Sequence, residues 1–83
     1  LVNQVVDDAQ LAAATQKVAD TIATKSPLGL QRMKALVDDG LDQPEDTALR
    51  LELLASEVHA FSADLQEGLE AFQGKRAPRF TGK

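Results

Sequence analysis

Eighty-three residues, 43% of them apolar and only three aromatic (all Phe), set the scale: one small domain at most, with a modest core of Leu, Val, Ile and Ala. There is no cysteine, which excludes disulfide staples and thiolate metal sites. The net charge of −4 divides into −8 over residues 1–74, where five cations face all thirteen acids, and +4 over residues 75–83, and the acidic body argues against broad nucleic-acid binding.

The basic end (Lys75, Arg76, Arg79, Lys83) has two readings. It meets a local anionic partner, or it is a solubilising terminus, the plainer reading on charge alone. No apolar run approaches the roughly 20 residues of a membrane span, and no secretory leader is visible. A cytoplasmic setting with no membrane partner is expected.

In chain order, Leu1 to Val6 is apolar and β-branched around Asn3-Gln4, which suits the end of a strand or a linker. So apolar a start reads as part of something longer. Asp7 or Asp8 then caps a first helix, an acid there accepting orphan N–H groups and complementing the helix dipole. Leu11, Ala14, Val18 and Ile22 give that helix an apolar face to about Thr24. Ser26-Pro27 opens a second helix, with Ser as cap and Pro at the first helical position. Its expected buried stripe is Leu30, Met33, Leu36 and Val37, and Gly40 is expected as the left-handed residue beyond its end. Asp42 and Pro44 open a third and longest helix, with the stripe Ala48, Leu51, Leu54, Ala55 and Val58 and an end near Phe61. Ser62 caps a fourth, with Asp64 in its first turn and Leu65, Leu69 and Phe72 on one face. Gly68 inside it costs about 1 kcal/mol against Ala and suggests close backbone approach. Gly74 ends it, and Ala77-Pro78 forces an extended tail.

The pattern predicts an all-α fold of three to four amphipathic helices. Its organisation is an entry segment (1–6), a helical domain (7–74) and a basic tail (75–83).

Catalytic chemistry is poorly provided for. The five glycines are scattered, so no phosphate loop forms. His59 is the one histidine and has no partner at metal-ligand spacing. A solvated or helix-face role suits it. Glu67 and Glu70, i and i+3 on a helix, form a carboxylate pair of the kind used in acid–base work. Nothing nearby is expected to desolvate them and shift a pKa, so solvent-face acids are the better reading. Ser26 and Ser62 read as caps, with no histidine base at a credible spacing. No catalytic residue and no metal site is assigned.

Several segments in order resemble the end of an enoyl-CoA hydratase/isomerase (crotonase-family) subunit. They are Leu1-Val2-Asn3-Gln4-Val5-Val6; Ile22-Ala23-Thr24-Lys25-Ser26-Pro27-Leu28, followed by Lys34 and Gly40-Leu41-Asp42; Ala48-Leu49-Arg50-Leu51-Glu52; and Asp64 through Arg76 with Pro78-Arg79-Phe80. The last, D-x-x-E-G-x-x-A-F-x-x-K-R-x-P-x-F, is the most specific. One departure stands out. The family often carries an aromatic residue two before the capping serine of the last helix, whereas Ala60 stands there, with Phe61 beside it.

The resemblance implies a parent enzyme acting on acyl-CoA thioesters, hydration of a 2-trans-enoyl-CoA foremost. In the family, two backbone N–H groups form an oxyanion hole for the thioester enolate, and in its hydratases two glutamates handle water and the α-proton. Those elements belong to a preceding core, and Glu67 and Glu70 do not occupy their positions. The C-terminal helices of the family cover the acyl pocket, pack in trimers or dimers of trimers, and touch CoA. The implied partners are therefore the crotonase core, an acyl-CoA substrate and further copies of the subunit. No cofactor is implied beyond coenzyme A as part of the substrate. Within A-F-x-x-K the family's Phe and Lys contact the nucleotide end of CoA, and these positions are Phe72 and Lys75. A flat apolar ring suits adenine and a lysine suits the 3′-phosphate. Plain core packing is an equal reading of Phe72, which continues the Leu65–Leu69 stripe. Arg76 is a weaker candidate. A freestanding helical interaction module with no enzymatic parent explains the composition equally well, but not the ordered motifs.

Overall fold

A computed structural model describes residues 2–83, and among them the only regular elements are four helices: α1 (Asp8–Ala23), α2 (Pro27–Gly40), α3 (Glu45–Ala60) and α4 (Ala63–Gln73). Residues 2–7 carry neither helix nor strand, and Leu1, the first residue of the apolar start, lies outside the described residues.

Local chemistry explains the boundaries. Ser26 Oγ accepts the Gly29 N–H at 2.9 Å ahead of Pro27, and Ser62 Oγ accepts the Leu65 N–H at 3.1 Å, so both serines cap as their sequence context predicts. Asp7 is the N-cap of α1 but makes no side-chain cap bond; Asp8 in the first turn complements the dipole. Pro44, not Asp42, is the cap residue of α3, and its carbonyl accepts from Thr47 and Ala48 at 2.9 and 3.0 Å. With 16 residues, α3 only equals α1 in length.

Gly40 departs from expectation. It is the last residue of α2, and the chain stays right-handed through Leu41, whose N–H reaches the Val37 carbonyl at 3.4 Å. A Cβ on Gly40 would lie 3.7 Å from that of Ala48, so the glycine sits where α2 meets α3 and not at a left-handed turn. The left-handed residue lies at the end of α4 instead. There Gly74 is right-handed and Lys75 takes φ 50°. The Lys75 N–H bonds the Phe72 carbonyl at 3.2 Å and the Arg76 N–H bonds the Ala71 carbonyl at 3.0 Å. That is the 5→2 and 6→1 pair of a Schellman motif, with lysine where glycine is usual.

The predicted buried stripes are not buried. Helix α2 packs on α3, α3 more lightly on α4, and α1 stands largely apart. Met33 and Val37 of α2, Leu54 and Val58 of α3, and Leu11, Val18 and Ile22 of α1 are all exposed. Ala71, at 2% exposure, is the only buried apolar residue among those described. Overall dimensions agree: the radius of gyration is 16.0 Å, against about 12 Å for a compact domain of this length. The accessible surface is 7187 Å², about 2,400 Å² more than a compact chain of this mass presents. The helices form a layer, with extents 43 × 39 × 18 Å, whose apolar faces lack a second layer to bury them.

Candidate functional site

The best-organised region is α4 with the tail. Asp64, in the first turn of α4, is 1% exposed. Ser26 Oγ donates to its Oδ2 at 2.5 Å, while the Thr81 and Gly82 N–H groups donate to Oδ1 at 2.8 and 3.0 Å. Its own N–H donates to the Lys83 carbonyl at 2.9 Å. One carboxylate thus joins the start of α2, the start of α4 and the end of the chain. The Ser26 hydroxyl first, and then the tail amides, hold its pKa below the ordinary value; burial opposes them. One turn later, Glu67 takes both guanidinium nitrogens of Arg76, at 2.6 and 2.9 Å, and the Arg79 N–H at 2.6 Å. The Arg76 hydrogen bonds and then the Arg79 amide hold Glu67 down to about 2. Residues 79–83 therefore run back along α4, Arg79 beside Glu67 and Lys83 beside Asp64. The Phe80 ring lies 3.7 Å from where a Cβ on Gly68 would be. The close approach expected at Gly68 is thus that of an aromatic ring, and at an ordinary contact distance.

This arrangement places each of the sequence candidates. Glu67 is shifted, contrary to expectation, but downward by a guanidinium, which suits an ion pair and not a general base. Glu70 accepts from Gln66 Nε2 at 2.9 Å. Ser62 does have a histidine in reach, also contrary to expectation: its Oγ lies 3.2 Å from His59 Nδ1. The hydroxyl proton, however, goes to the His59 carbonyl at 2.7 Å while the oxygen serves as the helix cap, so the pair is not a nucleophile and its base. His59 itself is half-buried on α3, which leaves the helix-face reading and not the solvated one. No group of three or more metal-ligating side chains occurs among the described residues, and no described helix is long and apolar enough to cross a membrane.

Phe72 and Lys75 flank the bend. Phe72 is 85% exposed, so it does not pack into a core within this chain. Lys75 makes no side-chain hydrogen bond or ion pair among the described residues, in contrast to Arg76. The chain therefore leaves an open aromatic ring and an ammonium without a partner among the described residues three positions apart at the end of α4, and uses the second cation to fasten the tail.

Between α2 and α3 runs a mostly apolar groove of about 600 Å³, with Met33, Val37, Ala48 and Leu49 in its walls and His59 at one end. Arg32 also lines it, with its Nη1 buried and without a partner among the described residues.

The enoyl-CoA hydratase/isomerase family model matches residues 1–83. The chain belongs to that family. It is 41% identical over 80 residues to 1,2-epoxyphenylacetyl-CoA isomerase from Escherichia coli K12, covering 96% of this chain and 30% of that protein. It is 32% identical over 83 residues to crotonyl-CoA hydratase from Syntrophomonas wolfei, covering 100% and 32%. The crystal structure of enoyl-CoA hydratase from Bacillus anthracis superposes with a TM-score of 0.91 at 30% identity, over 95% of this chain and 31% of that one. The chain thus spans about a third of the length of these relatives, and its four helices match a helical region of the crotonase fold. Sequence reasoning within the family missed the Asp64 and Glu67 contacts. The signal available was the pairing of D-x-x-E in α4 with a short basic tail, which gives acceptors on one side and donors on the other.

Proposed function

We propose that this chain is the C-terminal segment of an acyl-CoA enzyme subunit, where it covers a catalytic core, packs between copies of the subunit, and contributes Phe72 and Lys75 to the nucleotide end of CoA. The observation that supports the covering role is the surplus of about 2,400 Å² of accessible surface, three times what one partner contributes to a standard interface. A surplus of that size suits permanent burial and not a passing encounter. Hydration of a 2-trans-enoyl thioester, water adding across the double bond beside the carbonyl, is the reaction we assign to the whole subunit. The support for it is the hydratases among the relatives of this hydratase/isomerase family, since no described residue here supplies an oxyanion hole or an acid–base pair.

For CoA, the support is the exposed Phe72 ring and, three residues on, a Lys75 ammonium that is unpaired among the described residues. The ring offers adenine a stacking face and the ammonium offers a phosphate a point charge. Such a contact helps ground state and transition state alike, which lowers KM and leaves kcat alone. Steady-state kinetics of the full-length subunit test it. Lys75→Ala should raise KM for an enoyl-CoA several-fold, less so at high salt because screening weakens the contact in wild type too. It should not affect an enoyl-pantetheine thioester, which lacks the nucleotide. An equal loss on both substrates would refute the contact. The isolated chain should not hydrate crotonyl-CoA above the buffer rate; turnover that copurifies with it would refute the covering role.

A further inference from the structure

The bend at Lys75 is not the one its local sequence favours. Glycine enters the left-handed region without steric cost, and lysine does not. Gly74 stands immediately before Lys75, so α4 left to itself would end one residue earlier with Gly74 left-handed. The structure has Gly74 right-handed and Lys75 at φ 50°. Something beyond the local chain must select this register. The contacts able to do so are those of the tail: Arg76 on both carboxylate oxygens of Glu67, the Arg79 N–H on Glu67, and the Thr81 and Gly82 N–H groups on Asp64. They lie just beyond the bend and one helical turn apart on α4.

We infer that Asp64 and Glu67 are positioning residues, a two-point clasp that draws the tail back along α4 and so fixes Lys75 in the left-handed position beside Phe72. Without the clasp the left-handed residue becomes Gly74, and Lys75 moves one place along the chain, about 3.8 Å of backbone. Arg76 and Lys75, adjacent cations, thus divide the work: one fastens the tail and the other is left free to meet an anion. The clasp bears on CoA through Lys75, and in that respect rests on the reading of Lys75 given above.

The experiment compares wild type, Glu67→Gln, Lys75→Ala and the double variant in the full-length subunit. Glu67→Gln is the first choice because Glu67 lies at the protein surface. Asp64→Asn, at the buried end of the clasp, is the second variant. Hydrogen exchange at the Arg76 and Arg79 amides reads the bend and the clasp directly. Steady-state kinetics on an enoyl-CoA and on the matching enoyl-pantetheine read the consequence. Glu67→Gln should speed exchange at both amides and raise KM for the CoA thioester several-fold at the wild-type kcat. It should leave the pantetheine substrate alone and add nothing in the double variant beyond what Lys75→Ala does by itself. Retained protection at Arg76 in both Glu67→Gln and Asp64→Asn would overturn the clasp. So would a KM effect that adds to that of Lys75→Ala or that appears equally on the pantetheine substrate. If Lys75→Ala has no effect on KM while Glu67→Gln still frees the Arg76 amide, the nucleotide contact fails and the clasp stands.

Discussion

The two ends of this molecule are held together by different physics. From Ser62 onward, hydrogen bonds with specific partners fasten α4 and the tail, and the region contains all the buried residues among those described, Ser62, Asp64 and Ala71. From Asp8 to Ala60, three amphipathic helices present Leu, Val, Ile and Met side chains to solvent with little to cover them. Polar contacts are directional and a few of them suffice, so α4 and the tail are fastened by partners that this chain itself supplies, Ser26 among them. Apolar burial needs area, and a layer of helices 18 Å thick cannot provide it to itself. The catalytic core proposed above would supply the missing layer. The contrast explains why 43% apolar content yields almost no interior.

The largest effect that sharpens this contrast should come from Asp64→Ala. It removes the acceptor of the Ser26 hydroxyl and of two tail amides at once, leaving donors without partners. Exchange at Thr81 and Gly82 should rise by roughly tenfold or more, and α2 should fray from Ser26. Unchanged protection would show that the tail is held by Phe80 packing instead.

Acid should do the same more gently. Glu67 has its pKa lowered from 4.5 to about 2 by Arg76 and the Arg79 amide. A carboxylate depressed in the folded state contributes stability above its unfolded pKa and loses it as pH falls through the folded one. Tail docking should therefore hold above pH 4.5 and weaken progressively from there to about pH 2. Asp64, shifted in the same direction, adds to the loss. Exchange or chemical-shift titration of Arg79 would follow it. A transition near neutrality would mean that a group other than these two carboxylates controls the tail.

Gly68→Ala is a smaller effect of opposite sign. Phe80 at 3.7 Å leaves room for a methyl group, so helix propensity decides, and the variant should gain up to about 1 kcal/mol in thermal or urea unfolding. A loss would show that the Phe80 ring cannot tolerate even ordinary contact there.

What the sequence disclosed follows the same division. Four helices, the Ser26 and Ser62 caps and the Pro27 start were legible because each rests on neighbours within four residues. The stripe at Met33 and Val37 was legible as a face, but periodicity says which side is apolar and not what covers it, so burial was misjudged. The docking of the tail joins Arg76 to Glu67 and Thr81 to Asp64, 9 and 17 residues apart, and no local rule reaches that far. The left-handed Lys75 escaped for the same reason: Gly74 was the locally sensible choice, and non-local contacts overrode it. Phe72 and Lys75 are proposed for CoA only on the family resemblance, since an exposed ring and a lysine without a partner among the described residues have no signature of their own.

The smallest expected effect is the most telling about the other end of the molecule. Leu54 of α3, on its apolar stripe, is 57% exposed, and glutamine matches leucine closely in helix propensity. If α3 truly faces an absent partner, Leu54→Gln changes nothing that the isolated chain uses, and its unfolding free energy should stay within about 0.5 kcal/mol of wild type. Self-association should weaken, because an apolar face of this extent seeks another when it has no core to meet. Sedimentation velocity over a range of concentrations, alongside thermal melting, separates the two effects. A stability loss of about 2–5 kcal/mol, the range for truncating a buried leucine, would mean that α3 is already covered within this chain. In that case the open layer, and with it the contrast between the two ends, would be wrong.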